Sequence, residues 1–239
     1  MSICQKEINR FFSSLTGYLA IVLFILVCGI FLFLLPQSSI LNNNYASLSQ
    51  FFEIAPWVLL FLVPAICMHT LADEYKQGTF EVLKTKPITN WQIVVGKYLA
   101  ILIVLAIVLL PTITYVITIK LLSINGDIDG GGILGSYIGL YLLAATFAAI
   151  SLCCSGFTNN AVVAFLISGF VCISIYYGFN GLSKLPFLAN TYDYVIEMLG
   201  IDYHYKSISR GVIDSRAVIY FCSIIFLSLT ITQQNIKKR

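Results

Sequence analysis

Residues 72–97 read ADEYKQGTFEVLKTKPITNWQIVVGK, and this stretch decides the fold because it is a charged island in an otherwise apolar chain. An uncharged, mostly apolar run precedes it from residue 54, and another follows it to residue 119. Runs of this length are typical of membrane-crossing helices. The island is therefore predicted to be the aqueous connection between two such helices.

The composition places the whole chain in the membrane class. Of its 239 residues 59% are hydrophobic and only 10% are charged, and the mean hydropathy is +0.89. A soluble domain carries about 25% charged residues, so lipid must replace water over much of this surface. We predict an all-α polytopic membrane protein, because a helix pairs its backbone groups internally. The net charge of +3 gives no reason to expect a nucleic-acid partner.

Six uncharged runs near twenty residues long are predicted to cross the membrane, so that residues 1–239 form a single transmembrane domain. These runs cover residues 17–35, 54–71, 98–119, 133–154, 161–179 and 217–232. The first run is too long for a cleavable signal peptide and is followed by no small-x-small site. Before it, an apolar stripe and a basic face predict an interfacial helix. The alternative is a frayed start of the first span.

The distribution of lysine and arginine predicts the orientation. With six spans, one side carries both termini and residues 72–97, with nine Lys and Arg, and the other side carries five. The side richer in Lys and Arg is normally cytoplasmic. We therefore expect a multi-pass membrane protein with both termini and residues 72–97 in the cytoplasm.

The island has the residues of a short helix between two helix ends. Gly78 permits a turn, Thr79 is a candidate cap for the following residues, and Pro87 ends the helix. Thr89 and Gln92 form a T-x-x-Q capping box for the next span. Such a segment predicts either a short amphipathic coupling helix that moves both neighbouring spans or an ordinary solvated loop. The residues alone leave both readings open.

The absence of certain motifs limits the energy sources that this chain could use by itself. The only Gly-Lys pair, Gly96-Lys97, lacks the upstream glycine and the following hydroxyl of a phosphate-binding loop, so this chain is not predicted to hydrolyse ATP. No predicted span contains Asp, Glu, Lys or Arg, and His69 is expected to be a packing or interfacial residue rather than a proton relay. Sodium coupling through hydroxyl groups stays open. The candidates are Thr112, Thr114, Thr118, Ser151 and Ser155.

Three blocks of sequence resemble the ABC transporter type-2 permeases. Residues 72–100 contain an acidic pair, a Gly-Thr, a short Glu-containing helix, a Lys-Pro break and a Gly-Lys-Tyr that enters the next span. KEINRFFSSLTGY near the N-terminus resembles the opening of that family. ISRGVIDSRAVIYF, residues 208–221, is similar to the ending found in the branch associated with bacterial gliding motility, the GldF-like permeases.

The resemblance implies a membrane subunit of an ATP-driven exporter that is not itself an enzyme. A separate cytoplasmic ATP-binding subunit would hold ATP and Mg, this chain would bind no cofactor, and a second permease subunit, a copy or a relative, would complete the membrane unit. The short helix would dock on the ATP-binding subunit. The implied coupling residues are Asp73, Glu74, Gly78, Thr79, Phe80, Glu81, Val82, Leu83 and Lys84.

Glycines spaced four apart, Gly131, Gly135 and Gly139, line one face of the fourth span and permit close helix packing. Packing within the chain is the expected use, and a seam with a second permease is the alternative. Cys153 and Cys154 are interpreted as packing residues, so no metal site is predicted. Two other functions stay open: a non-transporting scaffold for a motility or secretion machine, and a sodium-coupled carrier.

Overall fold

The computed structural model describes residues 3–35, 48–84, 88–122, 129–184, 193–212 and 214–238. Within these ranges every regular element is a helix, which confirms the predicted all-α fold. The described helices are α1 (Ile3–Ser13), α2 (Leu15–Gly29, continued by a π-helical turn Ile30–Leu34), α3 (Ser49–Cys67), α4 (Ala72–Lys76), α5 (Thr79–Lys84), α6 (Asn90–Leu109, followed by a 3₁₀ turn Leu110–Thr112), α7 (Ile113–Leu122), α8 (Gly130–Phe157), α9 (Ala161–Ser183), α10 (Asp193–Met198), α11 (Ile201–Ile208) and α12 (Ser215–Lys238).

Six helical stretches in the described ranges are long and apolar enough to cross a membrane, as predicted. They are Gly17–Leu34, Ser49–Lys76, Asn90–Leu122, Gly130–Phe157, Ala161–Ser183 and Ser215–Lys238. The predicted runs overlap these stretches one to one, but most stretches are longer. A helix keeps its backbone hydrogen bonds past the first polar side chain, so the limits of the apolar runs are not the limits of the helices.

Helix α8 forms the centre of the bundle. It packs against α3, α6, α9 and α12, and 78% of its apolar window is buried. Small side chains make this possible: Ala144, Ala145, Ala148 and Ala149 are all buried along α8. By contrast, α2, α9 and α12 expose wide apolar faces, for example Phe170 at 73%. Exposed faces of that kind are expected where the solvent is lipid.

Side-chain hydrogen bonds satisfy backbone groups at two places in the helices, the start of α6 and the proline within α3. The predicted capping box is confirmed: the Thr89 hydroxyl accepts from the Gln92 backbone N–H, and the Thr89 N–H donates to the Gln92 side chain. Pro56 inside α3 removes the N–H that would bond to the Phe52 carbonyl. The hydroxyl of Tyr205 on α11 donates to that carbonyl at 2.6 Å. An otherwise unpaired backbone group is thereby satisfied.

The contacts between elements place both described ends of the chain at the same end of the bundle. Helix α1 packs against α6, and the Cβ position of Gly96 lies 3.1 Å from Ile3. Asn235, near the end of α12, donates to the Gly156 carbonyl at the end of α8. Ser155, next to Gly156, bonds to the chain that enters α4. We call this end of the molecule the α4–α5 end.

Candidate functional site

Seven titratable side chains meet at the α4–α5 end, and we call them the ion-pair cluster. They come from α1, from α4 and the break before it, and from the second turn of α6. The members of the cluster are Lys6, Glu7, Arg10, His69, Asp73, Glu74 and Lys97. With His69 neutral, three cations balance three carboxylates.

Lys97 is the centre of this cluster. Its side chain has no exposed area, and its ammonium lies 2.7 Å from a Glu7 oxygen and 3.0 Å from a Glu74 oxygen. It also donates to the Thr70 carbonyl at 2.8 Å. A lysine ammonium has three N–H donors, and these three acceptors replace the water it loses. Without such partners a buried ammonium would be very unfavourable.

The two carboxylates on Lys97 are also buried, at 9% exposure for Glu7 and 6% for Glu74. Lys6 adds a longer contact to Glu74, at 3.6 Å. The second Glu74 oxygen, Oε2, is buried and has no hydrogen-bond partner in the described part of the chain. Glu74 therefore depends on Lys97 for most of its stabilisation, and α4 is tied to α1 and α6 through one ammonium group.

Asp73, the neighbour of Glu74, forms the more exposed part of the cluster. The Arg10 guanidinium donates to Asp73 Oδ2 at 3.1 Å, and His69 Nδ1 lies 2.9 Å from the same oxygen. The side chains of Arg10 and His69 are 39% and 45% exposed. This ion pair links α1 to α4 a second time, but it is only partly desolvated, so it contributes less per contact than the Lys97 pairs.

Ser155 holds the break between α3 and α4 against the end of α8. Its hydroxyl accepts from the backbone N–H groups of Leu71 and Ala72, both at 3.2 Å, and donates to the Met68 carbonyl at 3.3 Å. The break leaves backbone groups without helical partners, and the fully buried Ser155 satisfies them. The position and direction of α4 are thus set by α8 as well as by the ion pairs.

A glycine turn joins α4 to α5. Gly78 has a φ of +68°, so the predicted turn residue does adopt the backbone that glycine favours. Thr79 is the first residue of α5 rather than a cap before it. Phe80 packs edge-to-face on Tyr75 with the ring centres 4.9 Å apart. These contacts fold α5 back against α4.

The predicted coupling residues divide into two sets. Asp73 and Glu74 point into the ion-pair cluster, and Phe80 and Leu83 are buried, at 4% and 9% exposure. Gly78, Thr79 and Glu81 are exposed. The side chains of Val82 and Lys84 lie outside the described part, and so does Pro87. Docking on a partner stays a prediction for the whole set, but in this conformation the buried members contact the chain itself.

The glycine face of α8 contacts α11 and the turn after it. A Cβ on Gly135 would lie 2.5 Å from the Gly211 carbonyl oxygen, and one on Gly139 would lie 2.5 Å from Ile208. Gly131 is exposed, and its nearest contact is its own cap residue Asp129 at 3.6 Å. Gly135 and Gly139 thus serve close packing within the chain.

Four of the five hydroxyl groups that could have bound sodium donate to backbone carbonyls. Thr112, Thr114 and Thr118 bond to carbonyls one turn earlier, around Pro111, and Ser155 bonds to Met68. Threonine commonly bonds in this way inside apolar helices. A hydroxyl that donates its hydrogen keeps its oxygen lone pairs, so the sodium-carrier hypothesis stays a prediction.

Sequence reasoning missed the most buried part of the site. The charge count places Lys97 among the aqueous residues because it belongs to residues 72–97, and the apolar stripe of the predicted interfacial helix includes Glu7. One signal was available. An acidic residue at position 7 on an otherwise apolar helical stripe, Ile3, Phe11 and Leu15, requires a buried partner. The identity of that partner, 90 residues away, was not readable.

Comparison with protein families gives a match over most of the chain. The family described as "ABC-2 family transporter protein" matches residues 1–209, which include five of the six candidate spans and all of the ion-pair cluster. A comparison with curated proteins gives no match.

Proposed function

The chain belongs to the ABC-2 family of transporter proteins, and on that premise we propose that it is the permease subunit of an ATP-driven exporter. A separate cytoplasmic subunit would bind ATP and Mg and hydrolyse the nucleotide. This chain would contribute the membrane path and would receive the force at α5. The two termini and the ion-pair cluster would then lie in or next to the cytoplasm of a bacterial inner-membrane protein.

The observation that carries this proposal is the linkage of α4 to three long-range partners. Lys97 joins α4 to α1 and α6, and Ser155 joins the start of α4 to α8. Helix α5 follows α4 after only Gln77 and Gly78. A force applied to α5 would therefore move the start of the third span, the N-terminal helix and the central helix together. A solvated loop would need none of these buried attachments.

We further propose that the docking surface is the polar side of the segment. Lys76, Gln77, Thr79 and Glu81 are exposed there, whereas Phe80 and Leu83 anchor α5 to the bundle. This division supports a role in which the apolar residues transmit force and the polar residues contact the ATP-binding subunit. Val82 and Lys84 are included on the family resemblance.

A second permease subunit and a link to gliding motility complete the proposal. The apolar faces of α2, α9 and α12 offer surface for a copy or a relative of this chain as well as for lipid. The gliding link is supported by the resemblance of residues 208–221 and would be tested by deleting the gene in a gliding bacterium. The scaffold hypothesis makes the opposite prediction from ours: function would persist when the ATP-binding subunit is unable to hydrolyse ATP.

The proposal is tested by purifying the chain with an ATP-binding subunit encoded beside it. Glu81→Arg should abolish copurification and the vanadate-sensitive ATPase activity that copurifies, because it reverses an exposed charge on α5. Glu197→Arg reverses the charge of a half-buried glutamate on α10, which packs against α9 and α11 rather than α4 or α5, and should leave both unchanged. If Glu81→Arg retains a bound, active partner, the docking surface is wrong.

A further inference from the structure

A cavity of about 520 Å³ lies between α1, α2, α3 and α6, next to the ion-pair cluster. Its wall is apolar and includes Leu19, Ala20, Leu23, Leu62, Ile101 and Val104. Leu19 and Leu23 are 54% and 53% exposed, so the cavity opens on the surface that faces lipid. Its volume is within the range of small-molecule binding sites.

The polar rim of this cavity carries both signs of charge. Arg10, His69 and Asp73 lie on it. Both described contacts of the Asp73 carboxylate, from Arg10 and from His69, fall on Oδ2, so Oδ1 takes part in neither. The guanidinium contact uses Nη2 alone. The rim therefore offers a cationic donor and a carboxylate acceptor side by side, with no net charge when His69 is neutral.

A second cavity, of about 810 Å³, continues the first along α2 and α3. The two cavities share Leu23, Leu62 and Ala65. The second ends near the other side of the membrane at Glu53, its one charged lining residue among those described. The fourteen residue steps from Glu53 to Cys67 along α3 correspond to about 21 Å of the roughly 30 Å hydrocarbon core, and the break before α4 continues the chain to Asp73. An apolar groove thus runs along most of the bilayer with a carboxylate at each end.

We propose that this groove binds a membrane lipid whose headgroup carries a phosphate and a primary ammonium, as in phosphatidylethanolamine. The acyl chain occupies the apolar cavity, the phosphate accepts from Arg10, and the ammonium donates to Asp73. A purely anionic headgroup would leave its charge beside the Asp73 carboxylate, and a purely cationic one would face Arg10. The apolar wall favours a lipid over a free headgroup. Binding at this site needs no ATP-binding partner.

The test is lipid retention by the purified full chain, followed by native mass spectrometry. Phosphatidylethanolamine should be retained at roughly tenfold lower concentration than phosphatidylcholine of the same acyl chains. A trimethylated nitrogen loses the charge-assisted hydrogen bonds to Asp73, and one such bond corresponds to about tenfold. Phosphatidylglycerol, which has no ammonium, should also be retained less. Equal retention of ethanolamine and choline lipids would overturn the proposal.

Two pairs of variants locate the site. Asp73→Asn should remove the preference for ethanolamine, whereas Glu197→Gln, which also removes a carboxylate, should keep it. Ala20→Trp should fill the cavity and abolish retention, whereas Val22→Trp, on the same helix but outside both cavities, should not. Unchanged retention in Ala20→Trp overturns the site even if Asp73→Asn fails to fold.

The same native mass spectra distinguish two alternative occupants of the groove, a free headgroup and a second copy of the chain. If soluble phosphoethanolamine displaces the lipid at equal concentration, the site recognises a free headgroup and the lipid assignment is wrong. If Ala20→Trp converts a dimer to a monomer without changing lipid retention, the groove is covered by a second copy, and the proposal also fails.

Discussion

A single side chain, Lys97, holds the charged part of the site together. Replacing it with methionine would remove the ammonium that Glu7 contacts and would leave Glu74 with only the longer contact to Lys6, at 3.6 Å. Breaking a buried ion pair from one side costs about 3–5 kcal/mol. We therefore expect Lys97→Met to lower the free energy of unfolding in detergent by roughly that amount.

The matched control is Lys6→Met, because Lys6 contacts the same Glu74 but is 58% exposed. An exposed pair contributes only about 0–1 kcal/mol. A further variant that adds Glu7→Gln and Glu74→Gln to Lys97→Met should recover part of the loss, since it removes the unpaired charges. Equal stability of the Lys97 and Lys6 variants would contradict the assigned role of the cluster.

His204 on α11 gives a prediction about pH. It is buried, its Nε2 lies 2.9 Å from the Met198 carbonyl, and its ring stacks on Tyr220 at 4.0 Å. Burial lowers the pKa of His204, although the Met198 carbonyl and Asp214 act in the opposite direction. Nε2–H of the neutral ring donates to Met198.

The direction of the pH dependence of stability follows from which state, folded or unfolded, binds the proton on His204 more tightly. In the unfolded chain a histidine has a pKa near 6.5, so on acidification the unfolded state takes up this proton first. The stabilisation is therefore complete above about pH 6.5 and is lost as pH falls through the lower folded pKa. Between pH 7.5 and 5.5 the melting temperature of wild type should fall more than that of His204→Gln. Parallel curves for the two proteins would exclude this role.

At the scale of elements, the close contact between α8 and the turn after α11 can be tested with one methyl group. Gly135→Ala would put a Cβ 2.5 Å from the Gly211 backbone oxygen. Backbone cannot move aside as a flexible side chain can, so overpacking should cost about 1–3 kcal/mol. Gly169→Ala on α9 meets nothing within 4 Å and should be neutral or slightly stabilising. Thermal unfolding of the two variants checks this, and a loss in both would mean that any methyl group is harmful.

The sequence was most informative about individual helices. Uncharged runs predicted six helical spans, and Thr89 with Gln92 predicted the start of α6, because both signals are local. The break between α3 and α4 was not predicted, since it depends on Ser155 from a helix more than 80 residues away. For the same reason the pattern of α5 did not reveal that Phe80 and Leu83 face the bundle rather than solvent.

At the scale of the whole molecule, a single sequence could not show which residues from distant elements meet in space. Lys97, Glu7 and Glu74 come from three separate elements, and the groove along α2 and α3 is also lined by Phe165 of α9. What the sequence does contain at this scale is the asymmetry of charge between the two ends of the bundle. That asymmetry predicts which end faces the cytoplasm.

The α4–α5 end should face the cytoplasm. The end that carries the α4–α5 segment and both termini has nine Lys and Arg in the sequence, against five at the other end, and the richer side is normally retained inside. Single-cysteine proteins made after replacing all seven natural cysteines with Ser or Ala can test this in intact cells. Gln77→Cys should react with a membrane-impermeant maleimide only after the cells are opened, because Gln77 is exposed at the α4–α5 end. Val195→Cys, 58% exposed on α10, should react without opening them. The reverse pattern would place α5 outside the cell, where no ATP-binding subunit could reach it, and would remove the basis of the proposed coupling.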